Sequence, residues 1–187
     1  MPRNSSCCLK SLLEVEKDKT MRGALYRFFA NDHRRLEALL EKATEPVDGY
    51  DMTAYGEFRP GLLRHIKMEE TILLPAAQKA RGGVPLEIAA KIRLDHGALT
   101  ALMVPPPSPM IIGALRAILE KHDLIEEQQG GMYDMLEELT GSEIDVLVER
   151  AGATPEVPVH PHNNEFFILD ATRRALARAG YNLDEYK

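Results

Sequence analysis

Apolar residues recur every three or four positions through most of the chain, the spacing of one face of an α-helix. The first such stripe reads Tyr26, Phe29, His33, Leu36 and Leu40, and predicts a helix over about Met21–Lys42. Glu45-Pro46 stops it, and Asp48-Gly49 supplies a turn. A second stripe, Phe58, Leu62, His65, Glu69, Ile72 and Ala76, predicts a helix over about Met52–Lys79, closed by Arg81-Gly82-Gly83. Pro60 and Pro75 fall inside it, and each removes a backbone donor and should kink it. A third stripe, Ala89, Ile92, His96, Leu99 and Met103, predicts a helix over about Pro85–Met103, with Pro85 in its first turn. After the Pro105–Pro109 cluster, Ser108 and Pro109 read as cap and first position of a fourth helix, over about Pro109–Leu139. Its stripe reads Leu115, Ile118, His122, Glu126, Gln129 and Tyr133, with Gly130-Gly131 loosening it late.

Four amphipathic helices joined by short connections predict an all-α fold, an antiparallel up-down four-helix bundle with a short helical C-terminal extension. The expected division is a flexible N-terminal extension over 1–20, the bundle over 21–141 and the C-terminal helical extension over 142–187. In that last part Ser142–Ala151 reads as a short helix, Thr154–Asn164 as a proline-rich loop with His160 and His162, and Glu165–Gly180 as a final helix. Met21 stands where the helical pattern begins and is a candidate translation start.

The composition narrows the class. A chain of 187 residues can bury roughly 70% of its unfolded surface without staples. The net charge of −6 and the lack of a basic stripe argue against nucleic acid as a partner. No apolar run approaches a membrane span, and the N-terminus lacks the apolar core of a signal peptide. Cys7 and Cys8 are the only cysteines, and sequence neighbours form no ordinary disulfide. Together these readings predict a cytoplasmic protein. Its oligomeric state stays open.

The stripes also carry chemistry. Each of the four helices has one histidine on its apolar face: His33, His65, His96 and His122, separated by 32, 31 and 26 residues. Each gap is one helix out, a turn, and the return to the same depth. His65 is followed by Glu69 and His122 by Glu126, at the i+4 spacing that shares a helical face. One such histidine is ordinarily a hydrogen-bonded core residue. Four at compatible depth, with two carboxylates that would be costly to bury unpaired, point to metal. Six ligands exceed one tetrahedral ion and suit two octahedral ions. Two carboxylates placed to bridge, with two histidines per ion, favour two irons, with manganese or zinc as substitutes.

Directly before the histidines, Asp32 and Asp95 are candidates to accept the second ring N–H of a ligand, or to stand at the exit of a proton path. Glu70 and Glu127 are candidates for the same duty, but helical geometry turns them about 100° from the ligand face, and they read as solvated. Tyr26 and Tyr133 read as core packing. His160 and His162 read as exposed loop residues, with a role as lid or extra ligand as the alternative.

The pattern His33, His65-x-x-x-Glu69, His96, His122-x-x-x-Glu126 resembles the hemerythrin-like HHE cation-binding domains over about Met21–Leu139, with HIKMEETILLP especially close to the family's second-helix signature. The resemblance implies a non-haem di-iron centre, oxo- or hydroxo-bridged. His33, His65, His96 and His122 would be its terminal ligands, and Glu69 and Glu126 its bridges. Thr100 stands where oxygen-carrying hemerythrins have a further histidine, and Glu126 where they have an aspartate. The chain thus resembles the six-ligand branch, which includes proteins implicated in iron–sulfur cluster repair, nitric oxide handling and iron sensing. The Cys7-Cys8 pair resembles one found in the N-terminal domain of some repair-type relatives, but reads here as accidental. The expected function is to bind or sense a small ligand, namely oxygen, nitric oxide or peroxide. The alternative is an enzyme acting in peroxide reduction, or in iron–sulfur cluster repair by iron donation.

Overall fold

The computed structural model describes residues 22–186, all of them in helices and their connections with no strand. The expectations for the N-terminal extension, for Cys7 and Cys8 and for Met21 lie outside the described residues.

Helix α1, Ala24–Thr44, buries Leu25, Tyr26, Phe29, His33, Leu36 and Leu40 on one stripe, as the periodicity predicts. Its N-terminus has no local cap. Two of its free amides, of Leu25 and Tyr26, donate instead to the Glu137 carboxylate at 2.9 and 3.1 Å. Helix α2, Met52–Met68, is capped by Asp51, which accepts from the amides of Thr53 and Ala54. It runs through Pro60 into a π-helical turn, Glu69–Leu73, and on into α3, Leu74–Ala80. The wider turn ends just before Pro75, whose ring and missing N–H are incompatible with a regular i→i−4 bond. Its extra residue advances the buried face by one: Ala77 is fully buried, whereas the expected Ala76 is only partly so.

Helix α4 spans Ala89–Leu102, four residues short of the expected start. Pro85 lies outside it, in a connection that lets Leu86 reach the core. Helix α5, Pro109–Glu127, opens as expected, Ser108 Oγ accepting from the amide of Ile111. The single helix expected to run to Leu139 is broken. Gln128 is extended, Gly130 takes φ +74°, and α6 begins only at Met132, ending at Thr140. Gln129, expected on the buried stripe, is exposed in this turn. A 3-10 turn then leads to α7, Ile144–Gly152. After the proline-rich loop, α8 spans Phe166–Ala179 and closes on Gly180 in the left-handed region.

Helices α1 and α2 pack together, as do α4 and α5, and α1 also meets α5, α6 and α7. The C-terminal α8 lies along α4. The interior has two apolar clusters. One holds Leu36, Leu40, Phe58, Leu62, Leu99, Leu102, Leu115 and Ile118, joined by Leu176 and Leu183 of the C-terminal segment. The other holds Leu25, Phe29, Met68, Leu73, Ile92, Met132, Tyr133 and Leu136. Successive long helices run from one cluster to the other in alternating directions. In each of them the histidine falls between the two clusters.

Candidate metal centre

His33 on α1, His65 on α2, His96 on α4 and His122 on α5 are all buried, and Glu69 and Glu126 are fully so. They form one polar layer across an otherwise apolar interior. The Nε2 atoms of His33 and His65 face each other at 2.9 Å, and those of His96 and His122 at 3.2 Å. Each glutamate divides its oxygens between these pairs. Glu69 presents Oε1 to His65 at 3.3 Å and Oε2 to His96 at 3.0 Å. Glu126 presents Oε2 to His33 at 3.4 Å and Oε1 to His122 at 3.2 Å. The result is two groups of four donors, His33, His65, Glu69 and Glu126, and Glu69, His96, His122 and Glu126, with the ligand atoms of each within 4.8 Å of one another. All six residues singled out by spacing are therefore brought together, and either group could hold a metal ion.

The donors fit a cation. Glu126 Oε1 is buried and makes no hydrogen bond, although His122 Nε2 is nearby. Burial, and then the negative charge of Glu69, push the Glu126 carboxyl well above the ordinary range. Burial acts the same way on Glu69, but the charges and hydrogen bonds of His65 and His96 together outweigh it and hold that carboxyl well below its usual value. Two buried glutamates so close are a site of negative potential that a bound cation would relieve. Burial also opposes charge on His65, yet Glu69 and Asp32 raise its pKa to about 10.

Behind each ring stands a carboxylate facing Nδ1. Asp32 Oδ2 lies 3.0 Å from His65 Nδ1, within hydrogen-bond distance, whereas Asp95 Oδ2 faces His122 Nδ1 at 3.8 Å and neither of those two atoms has a hydrogen-bond partner. These are the two aspartates the sequence offered for this duty. Glu127 Oε1 meets His33 Nδ1, and Glu70 Oε1 meets His96 Nδ1, both at 2.7 Å. The expectation that these glutamates are solvated is thus overturned. An imidazole inserted between two helices spans more than one residue of its neighbour. Glu126 and Glu127 take the two ends of the His33 ring, and Glu69 and Glu70 those of His96. Each carboxylate in turn contacts a base: Asp32 with Arg35, Glu127 with Arg34, Glu70 with Arg93 and Asp95 with Lys91. Lys91 also reaches the Ala179 carbonyl and the Tyr181 hydroxyl, tying the C-terminal segment to this network.

The arrangement repeats. The first half of the chain supplies Asp32-His33 and His65-x-x-x-Glu69-Glu70, and the second Asp95-His96 and His122-x-x-x-Glu126-Glu127. Tyr133 has no counterpart. Its fully buried hydroxyl lies 2.7 Å from Glu69 Oε1, 3.0 Å from Glu126 Oε2 and 3.2 Å from His33 Nε2. Reading it as core packing missed this. The only signal was the Gly130-Gly131 pair ahead of it. Burial, and then Glu126 and Glu69, raise its pKa well above the ordinary phenol value. The Tyr26 hydroxyl, by contrast, donates to the outer Glu127, at 3.3 Å.

A cavity of about 370 Å³ reaches His33, His65 and His122 from the surface. Leu36, Leu40, Leu62, Ile66, Leu99 and Leu119 are among its walls, and Glu37, Glu41, Glu120 and Arg116 stand along it. His160 is exposed, and its carbonyl accepts from the buried Arg59. His162 stacks on Tyr55, 5.7 Å between ring centroids, and neither loop histidine joins a donor group. Among the described residues no helix is long and apolar enough to cross a membrane. No known protein family matches the chain, and no curated protein or solved structure is found similar to it.

Proposed function

We propose that the chain is a hemerythrin-like four-helix bundle holding a non-haem dinuclear metal centre, loaded with iron, that binds or senses oxygen, nitric oxide or peroxide. The observation that carries this reading is the division of both glutamates between two histidine pairs. His33 and His65, with Glu69 Oε1 and Glu126 Oε2, would hold one ion. His96 and His122, with Glu69 Oε2 and Glu126 Oε1, would hold the other. Imidazole with carboxylate suits iron, with manganese and zinc as competitors. When bound, the irons supply electron exchange with the small ligand. The protein's own part is positioning. The carboxylates bonded to Nδ1 of His33, His65 and His96 fix those rings and would keep a proton on the outer nitrogen. The apolar walls limit water at the layer while admitting a small neutral ligand.

The acidic residues along the cavity favour a second reading. Glu37, Glu41 and Glu120 would draw cations inward, as an enzyme that donates iron in cluster repair requires. An enzyme reducing peroxide through the same opening belongs to this class.

Metal content and an optical spectrum, on protein purified without oxygen and then exposed to it, separate the readings. Two irons per chain and a charge-transfer band that reverses on deoxygenation are expected of a binder or sensor. Two irons with irreversible oxidation transfer the assignment to the enzyme. Absence of bound metal, with the fold unchanged in His65→Ala, would remove the dinuclear reading.

A further inference from the structure

The symmetry of the ligand layer is broken at one residue. Tyr133 touches three of the four donors around His33 and His65: Glu69 Oε1 at 2.7 Å, Glu126 Oε2 at 3.0 Å and His33 Nε2 at 3.2 Å. Its hydroxyl forms no hydrogen bond with His96 or His122, or with the carboxylate oxygens facing them.

These distances have a specific meaning. Two donors at right angles on an ion with bonds of about 2.1 Å stand about 3 Å apart. The acknowledged donors of this group are spaced that way, His33 to His65 at 2.9 Å and His65 to Glu69 at 3.3 Å. The phenol oxygen is spaced from them like one more member of the set. Residues that merely orient the ligands, Asp32 and Glu127, instead meet the far side of the rings, at Nδ1. The hydroxyl carries one proton, yet it stands within 3.2 Å of three donor atoms of this group.

The fold is built to bring this residue in. In an unbroken helix, Tyr133 would lie about 10 Å along the axis from Glu126. The break at Gln128–Gly131 turns α6 so that its first helical turn reaches back to the layer. The ring is then held by Phe29, at 5.3 Å between centroids, and edge-on by Tyr26, at 6.0 Å. Tyr133 belongs to one apolar cluster, whereas the cavity is walled by the other. The phenol thus closes the layer on the side away from the opening.

We propose that Tyr133 is a direct ligand, as phenolate, of the ion held by His33 and His65. This rests on the dinuclear reading. Ligation replaces the phenolic O–H bond with an O–metal bond, and the proton leaves to solvent. One position then has five protein donors and the other four, so the two ions differ in affinity and in their readiness to take a ligand. Phenolate is an established donor to iron.

The test is resonance Raman and visible absorption of the ferric-loaded protein, with iron counted per chain. The expected result is a phenolate-to-iron band carrying tyrosine ring modes, present in the wild type and in Tyr26→Phe and lost in Tyr133→Phe. Tyr133→Phe should also weaken binding of one of the two ions by about tenfold or more, and release one proton fewer on metal uptake. Two irons without tyrosine modes, or a band that survives Tyr133→Phe, would overturn the ligation and leave the dinuclear reading standing. A wild type that takes up no iron would overturn both. Should Tyr133→Phe fail to fold, the wild-type and Tyr26→Phe spectra still decide the matter.

Discussion

The rings of His33, His65 and His96 are each held by a carboxylate at Nδ1, and this sets what single substitutions do. Asp32→Ala or Glu70→Ala removes the acceptor at Nδ1 while leaving all six inner donors in place. Loss of such a partner should weaken metal binding by about 10–100-fold, measured by competition with a chelator of known affinity. The pH behaviour of the metal-free protein follows from His65. Its folded pKa of about 10 lies above the ordinary 6.5. The stability it contributes is therefore complete below the ordinary value and is lost as pH rises through about 10. Denaturant titrations with chelator present should show this decline. Metal loading should abolish it, because the ion takes the place of the proton. The six inner donors were legible in the sequence because i+4 spacing and one histidine per stripe are properties of single helices. Glu70 and Glu127 were legible only as candidates set aside in favour of solvent. Their role depends on a ring that enters from another helix, and facing direction computed on one axis cannot register it.

The elements deviate from regular helices at two places beside the donors. The π-helical turn begins at Glu69, and the break in the α5–α6 rod begins one residue after Glu127. The sequence announced both only as irritants, Pro75 and Gly130-Gly131, without saying how the backbone would resolve them. A kink, an extra residue and a full break are all compatible with such signals, and packing decides among them. At Gly131 an added Cβ would stand 2.6 Å from the Glu126 carbonyl oxygen and 2.7 Å from that of Ile125. These are backbone atoms that cannot swing away. Gly131→Ala should therefore cost about 1–3 kcal/mol, read by thermal or denaturant unfolding, and should disturb the reach of Tyr133. A second link between elements is the Glu137 carboxylate on the free amides of α1. Glu137→Ala should cost about 1 kcal/mol, as removal of a helix cap does, with metal content unchanged.

Over the whole molecule, the polar layer divides the interior into two apolar clusters, so on the dinuclear reading stability and metal loading should be coupled. Chelation should lower the melting temperature, since an ion at a hundred times its Kd adds about 2.7 kcal/mol. That corresponds to about 5–10 °C in a chain of this size. Narrowing the cavity with Leu119→Phe should slow ligand binding in stopped-flow mixing without changing the metal count. The alternation of long helices was visible in the stripes. The packing of α8 along α4, and its link through Lys91 to Asp95, joins residues about 90 positions apart, and no local pattern announces it. The repetition of Asp-His followed by His-x-x-x-Glu-Glu has a consequence for assembly. One helical hairpin encodes half of the centre and nothing whole. Two identical hairpins related by a two-fold axis would complete it, with each glutamate crossing the axis to serve both halves. Joining the halves in one chain frees them from that constraint. The halves are then free to differ, as Tyr133 beside His33 and the C-terminal segment on Lys91 already make them do.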